Sequence, residues 1–226
     1  MPKSLKPILI PPYLKEEIYI KLCFINNVRA KYLTVALVIY SFFISAYDVF
    51  FNQHIKHRHE FLSEFKLDLI LVVFSVIFTI YIYFNQVKSA KHIKSYHKII
   101  HIVISFFIMC WGAAKACNSS FSMELVPQVF LISVLITTTV FYFPFYIQLF
   151  QIVTSIFFYV IIALYYQLEI DLIFRFGIFN LIIISLGFLT SRLLFHQKME
   201  CFLKEYEINR LKDEKLFING QKEKPE

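Results

Sequence analysis

Six long apolar runs alternate with short polar stretches along the chain, at residues 32–51, 67–84, 99–117, 125–143, 145–166 and 172–195. Each comes near the ~20 residues that an α-helix needs to span a bilayer. Only Pro144 separates the fourth run from the fifth, so these two read as a helical hairpin with a tight turn at Phe143-Pro144-Phe145. The sixth run ends differently. It passes into Gln197-Lys198-Met199-Glu200 with no Pro or Gly between, so helical periodicity can run straight from apolar surroundings into water. In that outgoing stretch Phe195, Met199, Phe202 and Tyr206 recur at 4-3-4 spacing, followed in the same frame by Asn209, Asp213 and Leu216. This is a short heptad seam, and an Asn at a seam position can set register. Glu200 and Lys204 form an i,i+4 pair on its exposed side. Asn219-Gly220 is expected to end the helix.

The lead before the first run is striped. Leu14, Ile18, Leu22 and Ile25 recur at helical spacing among Lys15, Glu16, Glu17 and Lys21, which predicts an amphipathic helix lying along the membrane surface. The expected fold is therefore all-α: an integral membrane six-helix bundle with a cytoplasmic helical extension. Its parts are a cytoplasmic juxtamembrane lead (1–31), the transmembrane domain (32–195), a cytoplasmic signalling helix (196–218) and a disordered tail (219–226).

Composition supports that class. Of the 226 residues 58% are hydrophobic and 17% charged, and the mean hydropathy is +0.61. Soluble domains run nearer 45–50% apolar and ~25% charged. The 27 Phe and 14 Tyr suit lipid-facing surfaces and interfacial belts. Met1 to Lys31 has no short apolar core ahead of small residues, so no cleavable signal peptide is read there. Orientation follows from Lys and Arg. With the N-terminus inside, 18 of the 23 fall on the cytoplasmic side, leaving Lys56, Arg58, Lys66, Lys115 and Arg175 outside. The bias places both termini in the cytoplasm of a cell (plasma or inner) membrane and turns the basic side, which carries the net +7, toward anionic lipid. Membrane lipid is thus an expected partner, and nucleic acid is not. The four cysteines lie in flanking basic segments (Cys23, Cys201) or on one apolar helix seven residues apart (Cys110, Cys117), and read as soft packing residues rather than a disulfide framework.

Candidate chemistry is sparse. His54, His57 and His59 fall outside and His92, His97 and His101 inside, with ~30 Å of hydrocarbon between the groups, so they do not join into one metal site. The first group alone is a weak candidate for a Zn or Cu ion; otherwise no metal and no cofactor is expected. No nucleophile elbow and no Gly-rich phosphate loop is present, and no catalytic residue is assigned. Ionisable residues near the bilayer carry more weight, because they are costly there. Asp48, Lys115, Glu124, Glu169, Asp171 and Arg175 all map to outer span ends, and counting loops, seven acids meet five bases outside. Two arrangements fit. In the first, the bases staple helix ends to these acids; in the second, Asp48, Trp111, Lys115, Glu124, Asp171 and Arg175 line a ligand cleft, with Phe121 as a further apolar wall, that acts on the start of the last span.

Asn27 and Arg29 precede the first span, Asp48 closes it, Trp111 lies in the third, Asn180 and Gly187 lie in the sixth, and Phe202 sits in the emerging helix. In this layout the chain resembles the six-helix membrane sensory domains found ahead of diguanylate cyclase (GGDEF) domains, and of some histidine kinases, in bacteria. The resemblance runs from Glu16 to Leu211. It implies an emerging helix that pairs with a second copy, and so a homodimer. The chain departs from the family in containing no GGDEF motif and no nucleotide-binding segment. What it implies is a non-enzymatic sensor or anchor half, either truncated or working through a separate cytoplasmic output protein. A small transporter, channel or accessory subunit is the alternative.

Overall fold

The computed structural model describes residues 12–47, 49–50, 58–118, 126–165 and 170–222, with side chains described over 14–47, 49–50, 65–118, 128–165 and 181–215. The described residues form six α-helices and no strand: α1 (Pro12–Tyr47), α2 (Arg58–Phe84), α3 (Ser95–Asn118), α4 (Val126–Val140), α5 (Phe145–Tyr165) and α6 (Ile170–Lys222), with one 3-10 turn at Ala90–His92. Four stretches are long and apolar enough to cross a membrane: Leu14–Tyr47, Phe65–Phe84, Ser95–Asn118 and Phe145–Tyr165. Helix α4 has 15 residues. At 1.5 Å per residue it is ~22 Å long, short of the ~30 Å hydrocarbon core.

Helix α3 is the centre of the bundle, packing on α1, α2, α4 and α5, while α6 packs mainly on α4. Small residues make the centre possible. Ala113, Ala116 and Cys117 of α3 are fully buried against Phe130 and Val134 of α4 and Ile152, Tyr159 and Ala163 of α5. Gly112 lets α4 come closest, since a β-carbon there would lie 2.6 Å from Ser133 Cβ. Where lipid supplies no hydrophobic force between helices, such close backbone approach is the main source of packing energy.

Two elements differ from the sequence expectation. The lead does not form a separate helix on the membrane surface: α1 is one helix of 36 residues that carries both the lead and the first apolar run. Its stripe of Leu14, Ile18 and Leu22 is buried against Met199 and Phe202 of α6. The stripe was read correctly, but an apolar stripe accepts a helix as readily as a lipid surface. Likewise α6 does not stop at Asn219-Gly220 but continues to Lys222, since a helix can carry one Gly at a cost of ~1 kcal/mol.

Candidate functional site

The outer end of the bundle, so named only from the charge bias of the sequence, holds two of the expected residues in one tie. Lys115 Nζ lies 2.7 Å from Asp68 Oδ2, with side chains 11% and 1% exposed. Trp111, buried beside it on α3, donates its indole N–H to the Leu67 carbonyl at 3.1 Å. Both contacts join α3 to the first half of α2. The indole that was expected to wall a cleft is thus packed and bonded between helices, and Asp68 was not among the candidate ligands. Asp171 and Arg175 fall on the first two turns of α6, with their side chains outside the described residues. Asp48, Glu124, Glu169, His54 and His57 lie outside the described residues, as does the side chain of His59.

The opposite end, inner by the same expectation, carries a larger polar junction, built around the link 141–144 between α4 and α5. The last carbonyls of a helix have no partner within it. Pro144 supplies no N–H and prevents α4 from running on. Exposed carbonyls in a dry bundle cost several kcal/mol each unless a side chain reaches them. Two helices reach them here. From α1, the Asn26 amide donates Nδ2 to the Tyr142 carbonyl at 3.0 Å and accepts the Tyr142 N–H at 2.9 Å, so that one side chain pairs with both backbone groups of one residue. One turn on, Arg29 donates to the Val140 carbonyl at 2.7 Å and to the Tyr142 hydroxyl at 2.8 Å, with its guanidinium 4.0 Å from the Tyr142 ring centre. From α6, Arg192 donates to the Phe143 carbonyl at 2.5 Å and to Gln148 Oε1, between the rings of Phe188 and Phe195. Gln148 belongs to α5 and is fully buried.

Asn27 extends the junction to α2 and α3. Its Nδ2 donates to the His97 carbonyl at 2.9 Å. His97 Nδ1 accepts the Lys94 N–H at 3.0 Å, so the proton sits on Nε2, which faces the Asn85 carbonyl just past α2 at 3.0 Å. His101, a turn further on, meets the same His97 carbonyl through Nδ1 at 3.2 Å and stacks on Phe143. Of the three histidines of the inner group, His97 therefore ties α3 to the end of α2, His101 bonds within α3 and stacks on the link, and His92 bonds to Ser89 three residues back. Among the described residues no three His, Cys, Asp or Glu side chains gather in a metal-ligand cluster. Gln151, in the second turn of α5, adds a bond to the Ile102 carbonyl at 3.0 Å.

Just beyond the junction, Met199 and Phe202 of the expected seam are 3% and 7% exposed, covered by Leu14, Ile18 and Leu22 of the same chain. Phe195 and Tyr206 pack on this cluster, while Asn209 is exposed. The spacing was read as a seam between two copies, whereas its first half is filled within one chain. Glu200 lies 3.5 Å from His196, one turn back, rather than pairing with Lys204.

Sequence reasoning passed over Asn26, Tyr142, Gln148 and Asn85. The available signal was the Pro between two apolar runs, which leaves carbonyls in need of donors at one depth of the bundle. Comparison with protein families, with curated proteins and with solved structures yields no match. The chain is therefore defined by its architecture: an all-helical protein over the described residues, with four helices long and apolar enough to cross a membrane.

Proposed function

We propose that the chain is a multi-pass sensory or anchoring module of a cell membrane, with six membrane-crossing helices and both termini in the cytoplasm. Its 226 residues serve coupling rather than catalysis. The observation that carries this reading is α6, one helix of 53 residues. At 1.5 Å per residue it reaches ~80 Å, well beyond any bilayer. It touches α4 at Gly187, the 141–144 link at Arg192 and α1 at Met199 and Phe202. A ligand or stress acting on the bundle would bias the position of this rod, and the rod would hand that bias to a cytoplasmic output, on a second copy of the chain or on a separate protein. In a dimer, the contact between copies would come from Ile208 and Leu211, which are exposed beyond the filled part of the seam.

The test is to fuse a diguanylate cyclase output domain after Lys215 and insert one to four Ala between Glu205 and Leu211. Coupling through a rigid rod predicts output that rises and falls with the 3.6-residue helical period. Output indifferent to phase would leave α6 as a tether and contradict the reading. Single cysteines at 208 and 211 should crosslink between copies more readily than one at 202. Equal or absent crosslinking would remove the dimer and leave a separate partner as the output.

A further inference from the structure

At the inner end, α1 and α4 flank a groove of about 460 Å³ lined by Arg29, Tyr32, Leu33, Thr139 and Val140. Each of these helices packs on α3, and the bonds from Asn26 and Arg29 tie them at the groove's inner end. Arg29 is held fixed in it. A guanidinium has five N–H groups. Two are used on Val140 and Tyr142, and the rest have no acceptor among the described residues. No carboxylate of the described residues pairs with Arg29 either. Beyond Arg29 the groove becomes apolar. Leu33 and Val140 form its walls, and Ile136 and Ile132 continue the same face of α4, both exposed. Tyr32, 70% exposed, stands at the mouth.

We propose that this groove seats an anionic phospholipid of the inner leaflet, with its phosphate on Arg29 and one acyl chain along Leu33, Val140 and Ile136. A planar guanidinium meets phosphate oxygens through paired N–H bonds, and a pre-fixed one loses little freedom in doing so. The basic side of the protein faces the anionic leaflet. A free phosphate would satisfy Arg29 but leave the apolar walls uncovered, whereas an acyl chain covers them. The proposal needs only that these helices cross a membrane with Arg29 at the inner leaflet. It stands whether or not the chain is a sensor. Because Arg29 also holds the 141–144 link, the lipid sits on the junction that α6 crosses.

Native mass spectrometry of the full chain, released from detergent with dioleoyl phosphatidylglycerol or dioleoyl phosphatidylcholine, tests it. The wild type is expected to retain one phosphatidylglycerol about tenfold more strongly than phosphatidylcholine. Thr139→Trp fills the groove and leaves every Arg29 bond in place, and should abolish that preference while helical content holds. Arg29→Gln should do the same, and since it also loosens the link, Thr139→Trp decides if that variant fails to fold. Equal retention of the two lipids, or a preference unchanged by Thr139→Trp, overturns the proposal. So does displacement of the lipid by millimolar inorganic phosphate, which would make the groove a free-anion site.

Discussion

The two polar ends of the bundle solve different problems. At the outer end, one charge answers another: Lys115 pairs with Asp68, and Trp111 bonds to Leu67, so two neighbouring helices are tied. At the inner end, neutral amides and two guanidiniums answer the backbone of one short link, and side chains or carbonyls from all six helices or their ends take part. The outer tie can be cut with local effect. The inner junction cannot, because each partner removed leaves a part-buried backbone group without its hydrogen bond.

That contrast can be broken by substitution, and the largest effect belongs to Asn26. Asn26→Leu orphans both the N–H and the carbonyl of Tyr142. At roughly 1–3 kcal/mol for each buried unsatisfied group, about 2–6 kcal/mol of stability is lost. Unfolding in mixed micelles measures it, and a loss below about 1 kcal/mol would show that water reaches the link.

Lys115→Leu comes next, at about 3–5 kcal/mol, since it leaves the buried Asp68 carboxylate without this cation. The comparison sharpens in the double variant. Asp68→Leu with Lys115→Leu should recover most of that loss, because an apolar pair of similar volume often replaces a buried ion pair without penalty. No such rescue exists for Asn26, whose partner is the backbone itself. If the double variant is as unstable as the single one, the outer tie does more than pair two charges.

The smallest of the three is Gly112→Ala. The added methyl meets the Ser133 side chain, and forcing α3 and α4 apart should cost about 1–3 kcal/mol. A neutral Gly112→Ala would mean the α3–α4 contact is loose. Gly112→Ala with Ser133→Ala, which leaves the Ser133 Cβ in place, should regain only part of the loss.

Much of this fold was legible in the sequence because a bilayer allows few solutions. Long apolar runs in lipid must be helices, and most described residues of each of the six runs fall on one of α1 to α6. The charge-based reading of the outer end expected Lys115 to staple a helix end to one of seven outer acids without saying which, and the acid it meets is Asp68. The stripe on α1 and the seam on α6 were both visible as periodicity. Periodicity shows that a face wants an apolar partner and is silent on which one, so Leu14 and Met199 were assigned to lipid and to a second copy when they meet each other. Asn26 and Gln148 carried no pattern at all. Their role exists only because Pro144 breaks the chain between two apolar runs, and the positions they serve are backbone atoms that no residue type announces.

The inner junction binds α6 to the whole bundle. Backbone hydrogen exchange on Arg192→Leu in lipid nanodiscs tests it most directly, with Lys115→Leu as the contrast. Arg192→Leu is expected to raise exchange in residues 14–30 of α1 and in the link 141–144 as well as in α6, while residues 65–71 and 109–117 keep their protection. Lys115→Leu should give the reverse pattern. Exchange raised in α6 alone would show that α6 passes the junction without being held by it.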